Sequence, residues 1–148
     1  MKRKLLLFSL LLALMAPWTA NAQTTVEIGD GTGTTYYFPI DNYFNYSCTE
    51  QIYTAEEIGT AGNITAVSFY YNYGTAYAAN NVTMYMKNVD RSNFSATTDC
   101  EALALGDIVW TGSIAPTEAG WYTFVLDTPF EYDGTSNLLV AVFDGTSG

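Results

Sequence analysis

Two acidic residues near the C-terminal end, Glu131 and Asp133, have a spacing that could serve acid–base chemistry. A β-strand directs residues i and i+2 to one face, so both carboxylates would lie side by side. Glycoside hydrolysis uses such a pair, one acid protonating the leaving oxygen and the other acting as nucleophile or base. Some β-sandwich glycosidases carry Glu-x-Asp-x-x-Glu, but Ser136 replaces the third acid here. Because carboxylates are also ordinary residues beside Pro-Phe and Asp-Gly turns, the sequence predicts no enzyme.

The metal chemistry that the composition favours is calcium binding. Histidine is absent, which removes Ser-His-Asp and Cys-His catalysis and histidine-based metal sites. Hard oxygen ligands in Gly-rich or Asn-rich loops suit Ca²⁺. The candidate ligands of one structural Ca²⁺ are Asp30, Asp41, Asp133 and Asp144. Since no run matches the spacing of a calcium loop, solvated turn residues are the alternative interpretation.

Aromatic side chains offer a second kind of binding chemistry. Tyr and Trp rings stack on sugar rings, while amide and carboxylate neighbours bond the sugar hydroxyls. Two loops have this composition, and their candidate ligand-binding residues are Tyr43, Phe44 and Tyr46 in the first and Tyr70, Tyr73 and Tyr77 in the second. Because Tyr is also a common strand residue, a purely structural role is the alternative for each of them.

The chain has two cysteines, Cys48 and Cys100. In an exported protein an even pair is a disulfide candidate. The bridge would close a loop of about 50 residues and contribute roughly 4 kcal/mol to stability. Acidic neighbours flank both residues, which disfavours a reactive thiolate. Two separate thiols are the alternative to the bridge.

Residues 1–22 have the layout of a secretory signal peptide. Three basic residues precede the apolar run 5–15, and Ala20-Asn21-Ala22 is a small-x-small cleavage site. The apolar run is too short to span a membrane, although an uncleaved anchor is the alternative. We therefore expect a secreted or cell-surface protein that begins at Gln23 and has no transmembrane segment after cleavage.

The charge of the mature chain limits its partners. Cleavage would remove three of the five basic residues and no acidic residue, changing the net charge from −10 to −13 and leaving Lys87 and Arg91. A surface this acidic repels nucleic acid and anionic membranes, so neither is a predicted partner. Residues 23–148 are numerous enough for a single domain with its own core.

Hydrophobic alternation predicts an all-β fold. Residues 82–87 alternate cleanly, and 24–28 is predicted as a first strand. Residues 138–143 are apolar at every position, which predicts that both faces of this strand are covered. The runs 121–126 and 138–143 are separated by turn residues, which predicts neighbouring antiparallel strands.

Seven or eight short strands at regular spacing, with many turn residues, predict an antiparallel β-sandwich. One helical signal is Thr54 with Glu57, which matches the capping box of a single helical turn ending before Gly59. These elements would have to position the candidate side chains described above.

Several stretches together resemble N-terminal jelly-roll modules of large secreted and surface proteins of Bacteroidetes, related to the cleaved-adhesin type. The stretches are VEIGDGTGTTYYFPIDNYFNYS, TEQIYTAEEIG, ITAVSFYYNYG, VTMYMKNVDRSNF and GWYTFVLDTPFEYDGTSNLLVAVFDG. The resemblance covers nearly all of residues 23–148. It implies adhesion or binding rather than catalysis, and it supplies no catalytic residues to carry over.

Such modules usually precede fibronectin type III or further adhesin-like domains and a C-terminal sorting domain for type IX secretion. The sequence contains none of these and stops directly after a core-like strand. We therefore expect the jelly-roll-like sandwich to be truncated at its C-terminus, as the N-terminal module of a longer protein.

The expected function is a non-catalytic, adhesin-like binding or scaffolding module at the bacterial cell surface, with an extracellular glycan or protein as ligand. The alternative is a carbohydrate-binding module attached to a secreted hydrolase.

Overall fold

A computed structural model describes residues 23–29, 35, 38–41, 43, 44, 46–72 and 76–146. The predicted signal peptide, residues 1–22, lies outside the described residues. The described elements are β1 (Ser47–Tyr53), α1 (Ala55–Ile58), β2 (Gly62–Tyr71), β3 (Ala79–Val89), a 3₁₀ turn (Leu105–Asp107), β4 (Ile108–Ile114), β5 (Gly120–Tyr132) and β6 (Asn137–Asp144).

The six strands form two antiparallel sheets. The larger sheet has the order β1-β6-β3-β4, and the smaller sheet consists of β2 and β5. The all-β, sandwich-like fold predicted from the sequence is therefore confirmed.

The prediction of a strand at 24–28 was wrong. This segment is extended but joins no ladder, and its Val26 and Ile28 side chains are exposed. It contacts β2 through a side chain, the Gln23 amide nitrogen donating to the Thr65 hydroxyl at 3.3 Å. Alternation gave the segment strand propensity, but a strand also needs a partner for its backbone groups.

The core lies between the sheets and is formed by every second residue along the strands. Val82, Met84 and Met86 of β3 are each about 1% exposed and face the smaller sheet, as their period of two predicts. They pack with Leu138, Val140 and Val142 of β6 and with Phe124, Leu126 and Tyr132 of β5. From β2, the inward-facing Val67 and Phe69 close this core.

The predicted pairing of runs 121–126 and 138–143 was wrong. β5 pairs with β2, whereas β6 pairs with β1 and β3, so the connection between β5 and β6 crosses from one sheet to the other. Asp133 forms the turn, with one carboxylate oxygen accepting the N–H groups of Thr135 and Ser136 at 2.7 Å. The turn chemistry was recognised correctly, but a turn does not specify which sheet the next strand enters.

β5 also continues through residues 127–129, where the turn residues had predicted a break between strands. Its register with β2 jumps from Ala66↔Val125 to Ile64↔Phe130, so β5 carries extra residues that bulge out of the ladder. Pro129 falls within this bulge, where its missing N–H removes no ladder bond. Asp127 in the same bulge accepts the Thr111 N–H of β4 at 2.9 Å, which links the two sheets at this edge.

The capping box is confirmed. The Thr54 hydroxyl accepts the Glu57 N–H at 3.3 Å, and the Glu57 carboxylate accepts the Thr54 N–H at 2.8 Å. Gly59 ends this single turn with φ +71°. The sequence signal and the local structure therefore agree because both capping contacts lie within four residues.

Both faces of β6 are covered along residues 138–142, as predicted, whereas Phe143 at the end of the apolar run is 37% exposed. Leu139 and Ala141 point away from the sandwich core, yet both are 0% exposed. Across the sheet, Leu139 lies beside Lys87 and Ala141 beside Glu50. Glu101 binds both neighbours, since its carboxylate accepts from Lys87 Nζ at 2.9 Å and its N–H donates to the Glu50 carboxylate at 2.9 Å.

Residues 90–104, hereafter the excursion, therefore lie across the outer face of β6. Arg91 holds this segment by pairing with the carboxylates of Asp99 and Glu101, and its guanidinium lies 4.6 Å from the centre of the Phe94 ring. Lys87 and Arg91 are the two basic residues that follow Lys4 in the sequence, and both serve this purpose. The Arg91 pairs therefore fix the shape of the excursion, and the Lys87 pair joins it to β3 beside the apolar face of β6.

Acid is expected to loosen the excursion. Hydrogen bonds from Arg91 and Ser95 hold the pKa of Asp99 well below its usual range, and a bond from Lys87 lowers the pKa of Glu101. Because these folded-state values lie below the unfolded ones of about 4, the stabilisation is complete above that pH and is lost as pH falls further. The thermal unfolding midpoint should therefore drop between about pH 5 and about pH 2.

Asp99→Asn is the matched control, because it removes the titrating group and keeps the side-chain shape. Its thermal unfolding midpoint should be lower than that of the wild type at neutral pH. When the midpoint is plotted against pH, the curves of the two proteins should converge in acid. Parallel curves for the two proteins would contradict an electrostatic anchor at Asp99.

Candidate functional site

An aromatic cleft opens at one end of the sandwich. It lies where β2 and β4 end and β5 begins, and its volume is about 390 Å³. This volume is within the range of small-ligand sites, roughly 300–1,000 Å³. The cleft is lined by Thr35, Phe38, Pro39, Ile40, Phe69, Tyr70, Tyr71, Asn72, Tyr77, Ile114, Pro116, Tyr122 and Phe124.

Alternation along β2 and β5 separates the aromatic residues into walls and rim. Phe69 and Tyr71 of β2 and Tyr122 of β5 point inward and form the walls. Tyr70 and Trp121 are opposite each other in the ladder and point outward. Their rings meet edge to face with centroids 5.4 Å apart, and the two residues are 56% and 59% exposed.

The wall rings hold one another in place. Tyr71 packs against Tyr77 and Tyr122 with centroid distances of 5.8 and 6.1 Å. The Tyr122 hydroxyl donates to the Glu118 carbonyl at 2.9 Å and accepts the Thr117 N–H at 3.3 Å, which ties the wall to the turn before β5. A cleft with walls fixed in this way is formed before any ligand arrives, which lowers the ordering cost of binding.

Tyr77 and Asn72 both contribute polar side chains to the cleft. Burial, with the nearby Tyr71 and Asp144, raises the pKa of Tyr77 to about 12, so its phenol keeps its proton. The Asn72 side chain adds an amide at the rim. A neutral phenol and an amide donate and accept hydrogen bonds with ligand hydroxyl groups.

The predicted ligand-binding residues divide between two places. Tyr70 and Tyr77 line the cleft, whereas Tyr43, Phe44 and Tyr46 lie on an exposed loop that does not line it. On that loop the Tyr43 and Phe44 rings meet at 4.9 Å, and the backbone of Tyr46 has φ +65°. The sixth candidate, Tyr73, lies outside the described residues.

Sequence reasoning missed Trp121 and the cleft-lining residues Phe38, Tyr71 and Tyr122. Trp121 was interpreted only as a strand residue. Its position one residue before an inward-facing Tyr does predict an outward ring, but pairing with Tyr70 depends on a register between segments about 50 residues apart. No local pattern contains that register.

The described acidic candidates do not converge on a metal site. Asp133 precedes β6 and Asp144 is its last residue, so the two lie toward opposite ends of this strand. Each accepts backbone N–H donation from its own turn. Asp41 likewise accepts the Tyr43 N–H at 3.1 Å. Across the part of the chain that the structure describes, no three Asp, Glu, Cys or His side chains are grouped to hold an ion. Asp30 lies outside it, and calcium binding stays a prediction.

Asp133 is held by hydrogen bonds within its own turn. Hydrogen bonds from the N–H groups of Ser136 and Thr135, followed by the Ser136 hydroxyl, lower the pKa of Asp133 to about 2. A general acid needs a raised pKa instead, so that it carries a proton near neutral pH. Glu131 is an exposed residue of β5, opposite Asn63 of β2.

Cys48 and Cys100 are exposed free thiols in this structure, so the predicted bridge is not formed. Burial, Glu50 and then Cys100 raise the pKa of the Cys48 thiol, in agreement with the expected effect of acidic neighbours. Cys100 adjoins Glu101, whose N–H donates to the Glu50 carboxylate at 2.9 Å, so the two cysteines belong to segments that contact each other. The disulfide itself stays a prediction.

No protein-family model, curated protein or solved structure matches this chain. The resemblance to Bacteroidetes surface modules therefore stays a prediction. None of the helices in the described ranges is long and apolar enough to cross a bilayer.

Proposed function

We propose that this domain is a non-catalytic, adhesin-like binding module that acts outside the cell and holds a glycan at its aromatic cleft. The observation that carries the proposal is the exposed Tyr70–Trp121 pair beside a preformed aromatic cleft. Two adjacent exposed rings form a contiguous apolar patch of the kind that marks binding sites on protein surfaces. Sugar rings match them, because a sugar presents apolar C–H faces together with hydroxyl groups.

The charge distribution favours a neutral glycan. Lys87 and Arg91 are both held in ion pairs at the excursion, and the sequence has no other basic residue after Lys4. A carboxylated or sulfated sugar would therefore meet a negatively charged domain without a cation to pair with it. Tyr77 and Asn72 instead supply neutral donors and acceptors in the cleft.

The extracellular location rests on the sequence of residues 1–22, and the surface role rests on the resemblance. A binding module of this kind would serve either an adhesin or a secreted hydrolase to which it is attached. Both roles use the same cleft, so the ligand is the property to measure first.

Binding should be lost when the rim aromatics are removed. A screen of neutral and anionic oligosaccharides on a glycan array should identify neutral ligands, whose affinity is then measured by calorimetry. Trp121→Ala and Tyr70→Ala should each weaken binding about 30-fold, corresponding to about 2 kcal/mol for an aromatic hot spot. Val125→Ala is the matched control, since Val125 is 70% exposed on the same face of β5 but lies opposite Ala66 and not opposite Tyr70.

The second candidate is a protein-binding adhesin surface, favoured by the loop whose Tyr43, Phe44 and Tyr46 side chains are 60–85% exposed. If Tyr43→Ala and Tyr46→Ala abolish adhesion to protein-coated beads while Trp121→Ala has no effect, the loop is the site. A correctly folded chain that binds no oligosaccharide would overturn the glycan proposal.

A further inference from the structure

Both cysteines of the chain lie beside the outer face of the larger sheet. Cys48 is on β1, opposite Phe143 of β6, and its side chain points to the same side of the sheet as that of Glu50. Cys100 belongs to the excursion and lies between Asp99 and Glu101, the two residues that carry its ion pairs. Both thiols are exposed and therefore accessible to a reactant.

A backbone contact fixes the excursion beside β1 at this point. The Glu101 N–H donates to the Glu50 carboxylate at 2.9 Å, one residue from Cys100 and two residues from Cys48. The effect of Cys100 on the pKa of Cys48 agrees with this proximity. Because Cys48 and Glu50 face the same way, the Cys48 thiol is directed toward the excursion that carries Cys100.

The excursion is otherwise joined to the sheet by the partly exposed Lys87–Glu101 ion pair and by hydrogen bonds that Lys87 and Asn137 donate to its carbonyls, whereas the Arg91 ion pairs lie within it. Such pairs are weakened by salt and are lost in acid. We propose that Cys48 and Cys100 are a disulfide-forming pair, and that the bridge fastens the excursion covalently to β1 over the outer face of β6. This proposal does not depend on the cleft or on its ligand.

The bond forms by exchange with a small-molecule disulfide. The Cys100 thiolate attacks one sulfur of the donor, forming a mixed disulfide and releasing the first donor thiol. The Cys48 sulfur, after losing its proton, attacks the Cys100 sulfur and releases the second donor thiol. The two cysteines lose two electrons and two protons in total, and the donor disulfide gains them as two thiols.

The positions of the tryptic sites make the bridge easy to detect. After Lys4, trypsin can cleave only at Lys87 and Arg91, and both sites lie between the two cysteines. The reduced chain is treated with glutathione disulfide, denatured and digested. The bridged chain should lose the mass of two hydrogens and should keep the fragments containing Cys48 and Cys100 joined until a reductant is added.

The bridge should also stabilise the protein. Closing a loop of this length should lower the unfolding equilibrium constant in urea on the order of 10³-fold relative to the reduced chain. In the folded protein, cleavage after Arg91 should be slowed about tenfold or more, because cleavage requires the excursion to open.

Cys48→Ser and Cys100→Ser are the matched controls. Each should fold and release separate fragments after digestion. Glutathione disulfide should change neither its unfolding in urea nor its cleavage after Arg91. Two titratable thiols or only mixed glutathione disulfides in the treated wild type would overturn the pairing. A bridge that forms without changing unfolding or cleavage after Arg91 would overturn the fastening of the excursion.

Discussion

Replacing Leu139 with Ala is expected to lower the free energy of unfolding by about 3 kcal/mol. Leu139 is 0% exposed although it points away from the core between the sheets. Its side chain fills the space between β6 and the excursion, with Lys87 and Ile52 beside it on the neighbouring strands. Removing it discards apolar burial and leaves a cavity that the strands cannot close.

The measurement is urea unfolding of the reduced protein, followed by circular dichroism. Val125→Ala is the control, because Val125 is largely exposed and its loss should change the stability by less than about 0.5 kcal/mol. Val140→Ala offers a second comparison, since Val140 faces the opposite side of the same strand. Leu139→Ala should accelerate tryptic cleavage after Arg91 more than Val140→Ala does. A change below about 1 kcal/mol for Leu139→Ala would show that the excursion does not cover this face.

Replacing Gly134 with Ala is expected to destabilise the protein by about 3 kcal/mol. Gly134 has φ +75°, and a Cβ at this position would lie 2.6 Å from the Ala61 Cβ and 3.0 Å from its backbone nitrogen. The left-handed conformation disfavours any L side chain, and the close approach forces the backbone of residue 61 to move. The turn that carries β5 into β6 across the two sheets would therefore be strained.

Gly106→Ala is the matched control, because a Cβ there would meet no described atom within 4 Å and its backbone is not left-handed. Its unfolding free energy should stay within about 1 kcal/mol of the wild type. Ala61→Gly combined with Gly134→Ala should recover part of the lost stability by removing the nearest clashing atom. Equal stabilities for Gly134→Ala and Gly106→Ala would contradict the described turn.

These two positions and the cleft depend on the same arrangement of strands. β5 leaves the smaller sheet at Asp133, so its first half can pair with the distal half of β2 and bring Trp121 opposite Tyr70. If β5 had formed the expected hairpin with β6, Trp121 and Tyr70 would belong to different ladders. The candidate binding site therefore follows from the crossing between sheets.

The sequence alone determined the features that depend on neighbouring residues. Period-two alternation located β3, the apolar run of β6 predicted that both of its faces are covered, and Thr54 with Glu57 predicted the capping box. The prediction of a strand at 24–28 failed because alternation does not supply a pairing partner. These signals act over a few residues, where backbone geometry and side-chain chemistry are fixed by the chain itself.

Only the tertiary structure decided which strands pair, where the aromatic cleft opens and which segments meet at the outer face of β6. Tyr70 and Trp121 are neighbours because of the β2–β5 register, and the segments that carry Cys48 and Cys100 meet because the excursion crosses β6. Such contacts join segments about 50 residues apart, and many alternative pairings satisfy the same local patterns. The choice among them is made by burial and hydrogen bonding summed over the whole sandwich, which no single stretch of sequence contains.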